Sequence, residues 1–368
     1  MSQQNDLLDL ALQAIENGSV SESTKVKYTR VWKFYTEWLQ STDSCTQKDP
    51  TIINETSSIN VLKYLTYHWE YRKNSISTVY LHYSAIIWYY QYKMRVAAGD
   101  KDLQRIHGTQ LFNGNPGRAQ DLRNLLKAYK LQDRDRVKKR SLPMTYEDLS
   151  SILDWIQTKS NFTDLAKALY CSIFSLSWTV WMRIGEVENL RYCDILHLSK
   201  RAEFGDFTEI RIPWRKTDQD GNGTLYELHD DLLNEPGVRT RQYLLQWVSI
   251  MKQQQAETTL NFTDDQEHVF PLLSSDSNSL QAGTKMDSYN INQVLQKCVE
   301  GLQLEGIDLL GRGGQYTLHC FRRGGAQHRF FECKKTWPLV AIKYWGGWSS
   351  NERMDTIVNY VLNEYENR

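Results

Sequence analysis

From Thr24 to Leu39 the apolar side chains Tyr28, Val31, Trp32, Tyr35 and Leu39 return every three or four residues. That period demands a helix with one buried face. Lys25, Lys27, Arg30 and Lys33 fall on the opposite face. The same spacing predicts helices over 59–69, 75–95 and 120–131, with Asn74-Ser75 as an N-cap signal. Aromatics crowd the middle one (Tyr80, Tyr83, Trp88, Tyr89, Tyr90, Tyr92); a stripe of this kind is more often helical core than a base-stacking surface. Ahead of Thr24, Leu7, Leu8, Leu10, Leu12 and Ile15 form a short amphipathic pattern that stops at Asn17-Gly18. It suits either a helix that packs on a partner or a loose arm.

The period lapses at 133–142, a polar and basic stretch before Pro143. Beyond it, Thr145-Tyr146-Glu147-Asp148 is a helix start, and 149–155 and 165–181 are predicted helical. The run from Ala168 to Met182 is broken by serines and too short to span a bilayer, so it reads as a buried helix. Glu209 to Lys216 alternates like a strand, residues 218–223 are dense turn chemistry, and 224–228 form the return strand. The hairpin carries Lys216 at its tip. From Asn290 onward the chain reads as helical, with breaks at 311–314 and 346–347. The expected class is therefore mostly α with a small β-hairpin, in two domains, for which 368 residues provide enough core. The domains are a 1–20 arm, a 21–132 helical domain, a 133–143 basic linker and a 144–368 second domain.

Formal net charge is zero, so bulk charge does not announce a nucleic-acid partner. Charge is uneven, however. Arg118, Arg123, Lys127, Lys130, Arg134, Arg136, Lys138, Lys139 and Arg140 face only Asp121, Asp133 and Asp135 between 118 and 140. Such a stretch can bind phosphate within a neutral chain, although a solvated linker would look similar. Six cysteines show no C-x-x-C pair and no metal-ligand spacing, and read as buried free thiols of a reducing compartment. The polar N-terminus has no basic segment followed by an apolar one, so no secretory signal is expected.

The chemistry lies in an ordered series. Arg183 and Glu186 are three apart at a helix start, so they share a face. An arginine fork suits the non-bridging oxygens of a phosphate, and a carboxylate can hold it in one rotamer. His319 and Arg322 repeat the spacing, with Thr317 placed to cap their helix. Alone, each pair is more often a surface salt bridge or a structural histidine. Followed by Trp348 and Tyr360, they make up a set able to hold a phosphodiester and attack it with a phenol. Lys216 would be the general acid for the leaving oxygen. No carboxylate cluster suggests a metal, and no cofactor is expected.

These residues carry a resemblance. His319-Cys-Phe-Arg322-Arg323-Gly324-Gly325-Ala326, Trp345-Gly-Gly-Trp348-Ser349 and the 357–363 segment around Tyr360 are similar to the C-terminal motifs of the tyrosine recombinases of the phage-integrase, Cre and Flp superfamily. Arg183-Ile-Gly-Glu186 to Ile195 resembles that family's first arginine box, and the helix after Thr24 its core-binding domain. The resemblance spans roughly 21–365, and its nearest flavour, with Trp348 where many members have a second histidine, is that of Crypton mobile elements of eukaryotes.

The resemblance implies a two-domain, C-shaped DNA clamp with a SAM-like core-binding domain and a catalytic domain. Arg183 and Arg322 would be the paired arginines, His319 the histidine, Lys216 the hairpin lysine, Trp348 the second His/Trp position, Glu186 the accessory carboxylate and Tyr360 the nucleophile. Tyr365 is a minor rival, because the gap from Trp348 to Tyr360 is longer than usual. Phosphate contacts are expected from Lys25, Lys27, Arg30, Arg136, Lys138, Lys139, Arg140, Arg215 and Arg323. The partner would be double-stranded DNA, held by a homotetramer on two paired sites, a dimer per site, with neither membrane nor small-molecule substrate. A eukaryotic source would make it nuclear; otherwise it would be cytoplasmic. Two other readings remain: a recombinase-derived DNA-binding protein without activity, which should lack part of the set, and a type IB topoisomerase, which should lack the Cre-like motif.

Overall fold

The computed structural model describes residues 2–96, 99–136, 141–201, 205–213, 215, 223–229, 238–257, 265–311, 314–334, 336–349 and 351–362. The chain is mostly helical with small antiparallel sheets, and it divides into two compact units, residues 1–138 and 139–368.

The first unit contains α1 (Ser2–Ser19), α2 (Glu22–Ser41), α3 (Ser57–Thr66), α4 (Ile76–Trp88), a two-stranded ribbon of β1 (Gln104–Arg105) and β2 (Phe112–Asn113), and α5 (Gln120–Gln132). Ser75 caps α4 by accepting the Thr78 N–H. Trp32, Tyr35 and Leu39 from α2 meet Tyr64, Ile86, Tyr90 and Leu126 in one buried cluster, with Trp32 stacked on Tyr89 at 4.1 Å. Trp88 and Tyr90 are buried and Tyr83 and Tyr89 pack against the cluster, so these four belong to the core, while Tyr80 is exposed. Two buried tyrosine hydroxyls find partners, as buried polar groups generally do. Tyr90 donates to the Pro50 carbonyl at 3.0 Å, and Tyr64 lies 2.8 Å from His82 Nδ1. Helices α3 and α4 each close in a widened π-turn, which the aromatic period gave no sign of.

The second unit contains α6 (Tyr146–Thr158), α7 (Asp164–Thr179), α8 (Ile184–Glu188), β3 (Ile195–Arg201), β4 (Gly205–Ile212), β5 (Thr224–His229), α9 (Thr240–Glu257), β6 (Leu272–Leu273), β7 (Leu280–Gln281), α10 (Ser288–Leu304), α11 (His319–Gln327), α12 (Leu339–Trp345) and α13 (Met354–Leu362). Thr145, Thr163 and Asp287 cap α6, α7 and α10 with their side-chain oxygens. Helix α7 is buried from Ala168 to Thr179 and packs against α6, α9 and α11. The sheet runs β3-β4-β5, antiparallel throughout, with an irregularity between Leu196 and Ser199. Phe207, Thr208, Ile210, Ile212, Tyr226 and Leu228 are buried in it; over 210–212 the burial alternates, with Arg211 exposed, as a period of two requires. Of the strand expected over 209–216, residues 209–212 form the end of β4, which begins at Gly205, and Lys216 lies outside the described residues; β3 is an extra strand beyond the expected hairpin.

Helix α11 is wedged in place. A Cβ at Gly324 would lie 1.8 Å from the Met144 carbonyl oxygen, and one at Gly325 2.1 Å from the Trp178 carbonyl. Backbone here cannot yield cheaply, so Gly324→Ala is expected to destabilise by about 1–3 kcal/mol. That corresponds to a melting temperature lower by about 2–4 °C per kcal/mol for a unit of this size. Thermal denaturation checks it, and an unchanged midpoint would mean that α11 has slack.

Among the described residues no helix is long and apolar enough to cross a membrane. All six cysteines are free. Cys45, Cys171, Cys298 and Cys320 are buried as expected, but Cys193 is exposed and Cys333 half-buried, because they sit in a turn before the sheet and beyond the last turn of the α11 segment.

Candidate active site

The site lies wholly in the second unit and is built where α7 ends. Trp181, fully buried, takes a left-handed backbone (φ 54°). A bulky residue adopts that conformation only where its surroundings enforce it. The turn directs the Trp181 carbonyl to accept from Arg322 Nη1 at 2.5 Å, and two residues later Arg183 opens α8. Glu186, on the first turn of α8, accepts the Arg183 backbone N–H at 2.9 Å through Oε2 and Arg183 Nη1 at 2.9 Å through Oε1. The Arg183 side chain remains 27% exposed and the Glu186 side chain only 6%. The carboxylate is therefore buried behind the arginine and fixes a fork that still reaches solvent.

Trp-Gly-Gly-Trp is the end of α12. The Trp348 N–H donates to the Lys343 carbonyl at 3.1 Å and the Gly347 N–H to Tyr344 at 2.9 Å, with Gly347 left-handed (φ 57°). This is a Schellman ending, in which glycine takes the position that a Cβ would strain. A Cβ at Gly346 would also strike the Trp348 ring at 1.7 Å. The last carbonyls of a helix lack intrahelical partners and carry its negative end. Arg322 Nη2 donates to Gly346 O at 2.5 Å, Arg215 Nη1 to Trp345 O at 3.5 Å, and Tyr226 Oη to Trp345 O at 2.7 Å. The Arg322 guanidinium also lies 4.7 Å from the Trp348 ring centre. The sequence thus brings together Arg183, Glu186, Arg322 and Trp348, and the structure adds Trp181, Tyr226 and Arg215. A glycine pair after an apolar run could have revealed the helix ending; nothing in the sequence marks Trp181 or Tyr226.

His319 is the first residue of α11, its backbone N–H 3.4 Å from Thr317 Oγ1; Leu318 holds the N-cap position expected for Thr317. Desolvation, and then the charges of Arg322, Arg323 and Arg183, push its pKa down to about 4. His319 is nevertheless exposed by area, so desolvation is the weaker of these arguments, and the three cations secure the direction. A folded value below the unfolded value near 6.5 means that protons favour unfolding. The contribution of His319 to stability is complete above about pH 6.5 and falls as pH drops toward 4. In ¹³C-labelled protein the His319 ring, assigned with His319→Gln, is expected to titrate well below pH 6. A midpoint at or above 6.5 would contradict the arginine field.

Tyr360 is a backbone position on α13. That helix is anchored by Ile357 and Val361, buried with Trp181, Ala326 and Ile342, and by Gln327 Nε2 donating to the Val361 carbonyl at 2.9 Å. The helix bearing Tyr360 therefore packs on the helix bearing His319 and Arg322. A cleft of about 810 Å³ borders Arg183, Glu186, Arg191, Ile212, Pro213 and Arg215. Lys216, Lys138, Lys139, Arg140 and Tyr365 lie outside the described residues.

Two arginines expected at a DNA surface are placed inside instead. Arg323 is buried and donates to the Ser141 carbonyl at 2.6 Å, and Arg215 is buried beneath the end of α12. In the first unit the Lys25 side chain is 12% exposed and engages Asn17 and Glu22, at 2.9 and 3.2 Å. Lys27 and Arg30 are exposed, Arg30 lying over Phe34, and Arg136 is 3.7 Å from Asp133. Among the described residues no group of three or more His, Cys, Asp or Glu could hold a metal ion.

No family model matches the sequence, and no curated protein matches it. Solved structures do. The integrase of transposon Tn1549, bound to circular intermediate DNA, aligns over 95% of this chain and 92% of its own (TM-score 0.52, 14% identity). The lambda integrase dimer bound to a core site aligns over 97% and 76% (TM-score 0.53, 11% identity). The XerH site-specific recombinase bound to its difH substrate aligns over 93% and 77% (TM-score 0.51, 11% identity). The fold is that of the tyrosine recombinases.

Proposed function

We propose that the protein is a DNA strand transferase, a site-specific tyrosine recombinase. The Tyr360 phenolate oxygen attacks the scissile phosphorus. The P–O5′ bond breaks, the released 5′ oxygen takes a proton from Lys216, and the 3′ phosphate stays on Tyr360. A 5′-hydroxyl from a partner duplex reverses the step, so phosphodiester energy is conserved without ATP. Arg183 and Arg322 meet the charge on the non-bridging oxygens, with His319 and the Trp348 indole N–H as further donors. The observation that carries this reading is that α11, the helix of His319 and Arg322, packs on the helix that bears Tyr360, while Glu186 fixes Arg183 and Arg322 lies over Trp348. The recombinase fold over nearly the whole chain, in proteins solved on DNA, supports it.

The same reading extends to a homotetramer on two paired duplex sites that exchanges strands through a Holliday junction. Trp348 and the aromatic helices favour a Crypton-type element of a eukaryotic nucleus. The test needs no known target. The protein is incubated with sheared genomic DNA, SDS-stable adducts are trapped, the attached ends are sequenced and the linked peptide is identified by mass spectrometry. A phosphotyrosyl peptide with clustered ends is the expected result. Binding without adducts, on paired as well as single duplexes, would favour a recombinase-derived DNA-binding protein.

A further inference from the structure

We infer that Arg215 is a positioning residue that couples the Arg183–Glu186 pair to the turn carrying Trp348; its activity arm rests on the recombinase reading. Its side chain is 1% exposed and is taken up by contacts within the protein. One arm of its guanidinium reaches the Trp345 carbonyl and another lies 3.9 Å from Glu186 Oε2, while the plane sits 5.0 Å from the Tyr226 ring centre.

Gly347 reports how closely the group is fitted. A Cβ there would lie 1.8 Å from Arg215 Nη1, so the left-handed glycine both ends α12 and admits the guanidinium. Arg215 and Arg322 thus hold consecutive carbonyls, those of Trp345 and Gly346, at the negative end of one helix. Glu186 in turn holds Arg183 and faces Arg215. Among the described residues, Arg215 bridges the anchor of the first arginine and the turn that sets the indole. Among the described residues its Nε and Nη2 have no hydrogen-bond partner, and charge and shape orient the fork there. A lysine keeps the charge but is a single point, unable to bridge a carboxylate and a carbonyl that lie on different sides.

The test uses full-length protein labelled with 5-fluorotryptophan, its Trp348 ¹⁹F resonance assigned with Trp348→Phe. Arg215→Lys is expected to move that resonance in the absence of DNA. It should also slow adduct formation by about 10²-fold, as misplacement by an ångström does, with DNA affinity unchanged. Glu186→Gln should move the same resonance in the parent and fail to move it further in Arg215→Lys, as coupled neighbours do in a double-mutant cycle. An unmoved resonance, or equal Glu186→Gln shifts in both backgrounds, overturns the inference. Should Arg215→Lys not fold, an unmoved Trp348 resonance in Glu186→Gln alone overturns it. If the parent forms no adduct at all, the recombinase reading fails while the resonance cycle still decides the coupling.

Discussion

A Tyr360→Phe variant is expected to bind DNA as the parent does and to form no SDS-stable adduct. The substitution removes one oxygen and keeps the ring, and Ile357 and Val361, which anchor α13, are untouched. Affinity for duplex DNA comes from cations on phosphates, none of which is altered. Loss of the nucleophile itself removes the covalent pathway, on the order of a 10⁶-fold effect in enzymes where this has been measured. Gel analysis of end-labelled DNA reads both quantities. Tyr365→Phe run alongside should behave as the parent. Adducts that survive in Tyr360→Phe and vanish in Tyr365→Phe would transfer the role to the later tyrosine.

Arg322→Ala should fail in two ways. The side chain is buried and donates to the Trp181 and Gly346 carbonyls while covering Trp348. Removing it strands both carbonyls and opens a cavity, which is expected to lower stability by about 3 kcal/mol or more. A preorganised donor lost from the site should lower adduct formation by about 10²–10³-fold beyond that. Arg322→Lys separates the two effects, because it restores charge and volume without the fork. Adduct formation should stay depressed while stability partly returns. Parental cleavage in either variant would remove Arg322 from the chemistry.

Much of this could be read from the chain. Helices α2 to α7 follow from an apolar period of three to four residues, reinforced by Ser75 and Thr145. The pairing of His319 with Arg322 and of Arg183 with Glu186 is a matter of helical spacing. Burial of individual cations is not. Arg215, beside Trp214 and Lys216, and Arg323, beside Arg322, look alike in sequence to arginines that face a ligand. Which guanidinium is consumed by backbone carbonyls depends on where α12 ends and where Ser141 passes, both of which are long-range facts. Strand β3 was not anticipated because Ile195–Arg201 ends in two cations, and the reversed backbone at Trp181 is imposed by packing that no local propensity encodes.

The glycine contacts of α11 have a consequence for control. Gly324 and Gly325 touch backbone on both sides, and the Arg322 fork is tied at both ends. An Arg322 guanidinium tied at both ends on a helix fitted this closely has little room to shift. On the strand-transferase reading proposed above, a guanidinium held in this way leaves control of cutting to delivery of the phenol or to the DNA, and signals that restrain premature cleavage would act on the last helix.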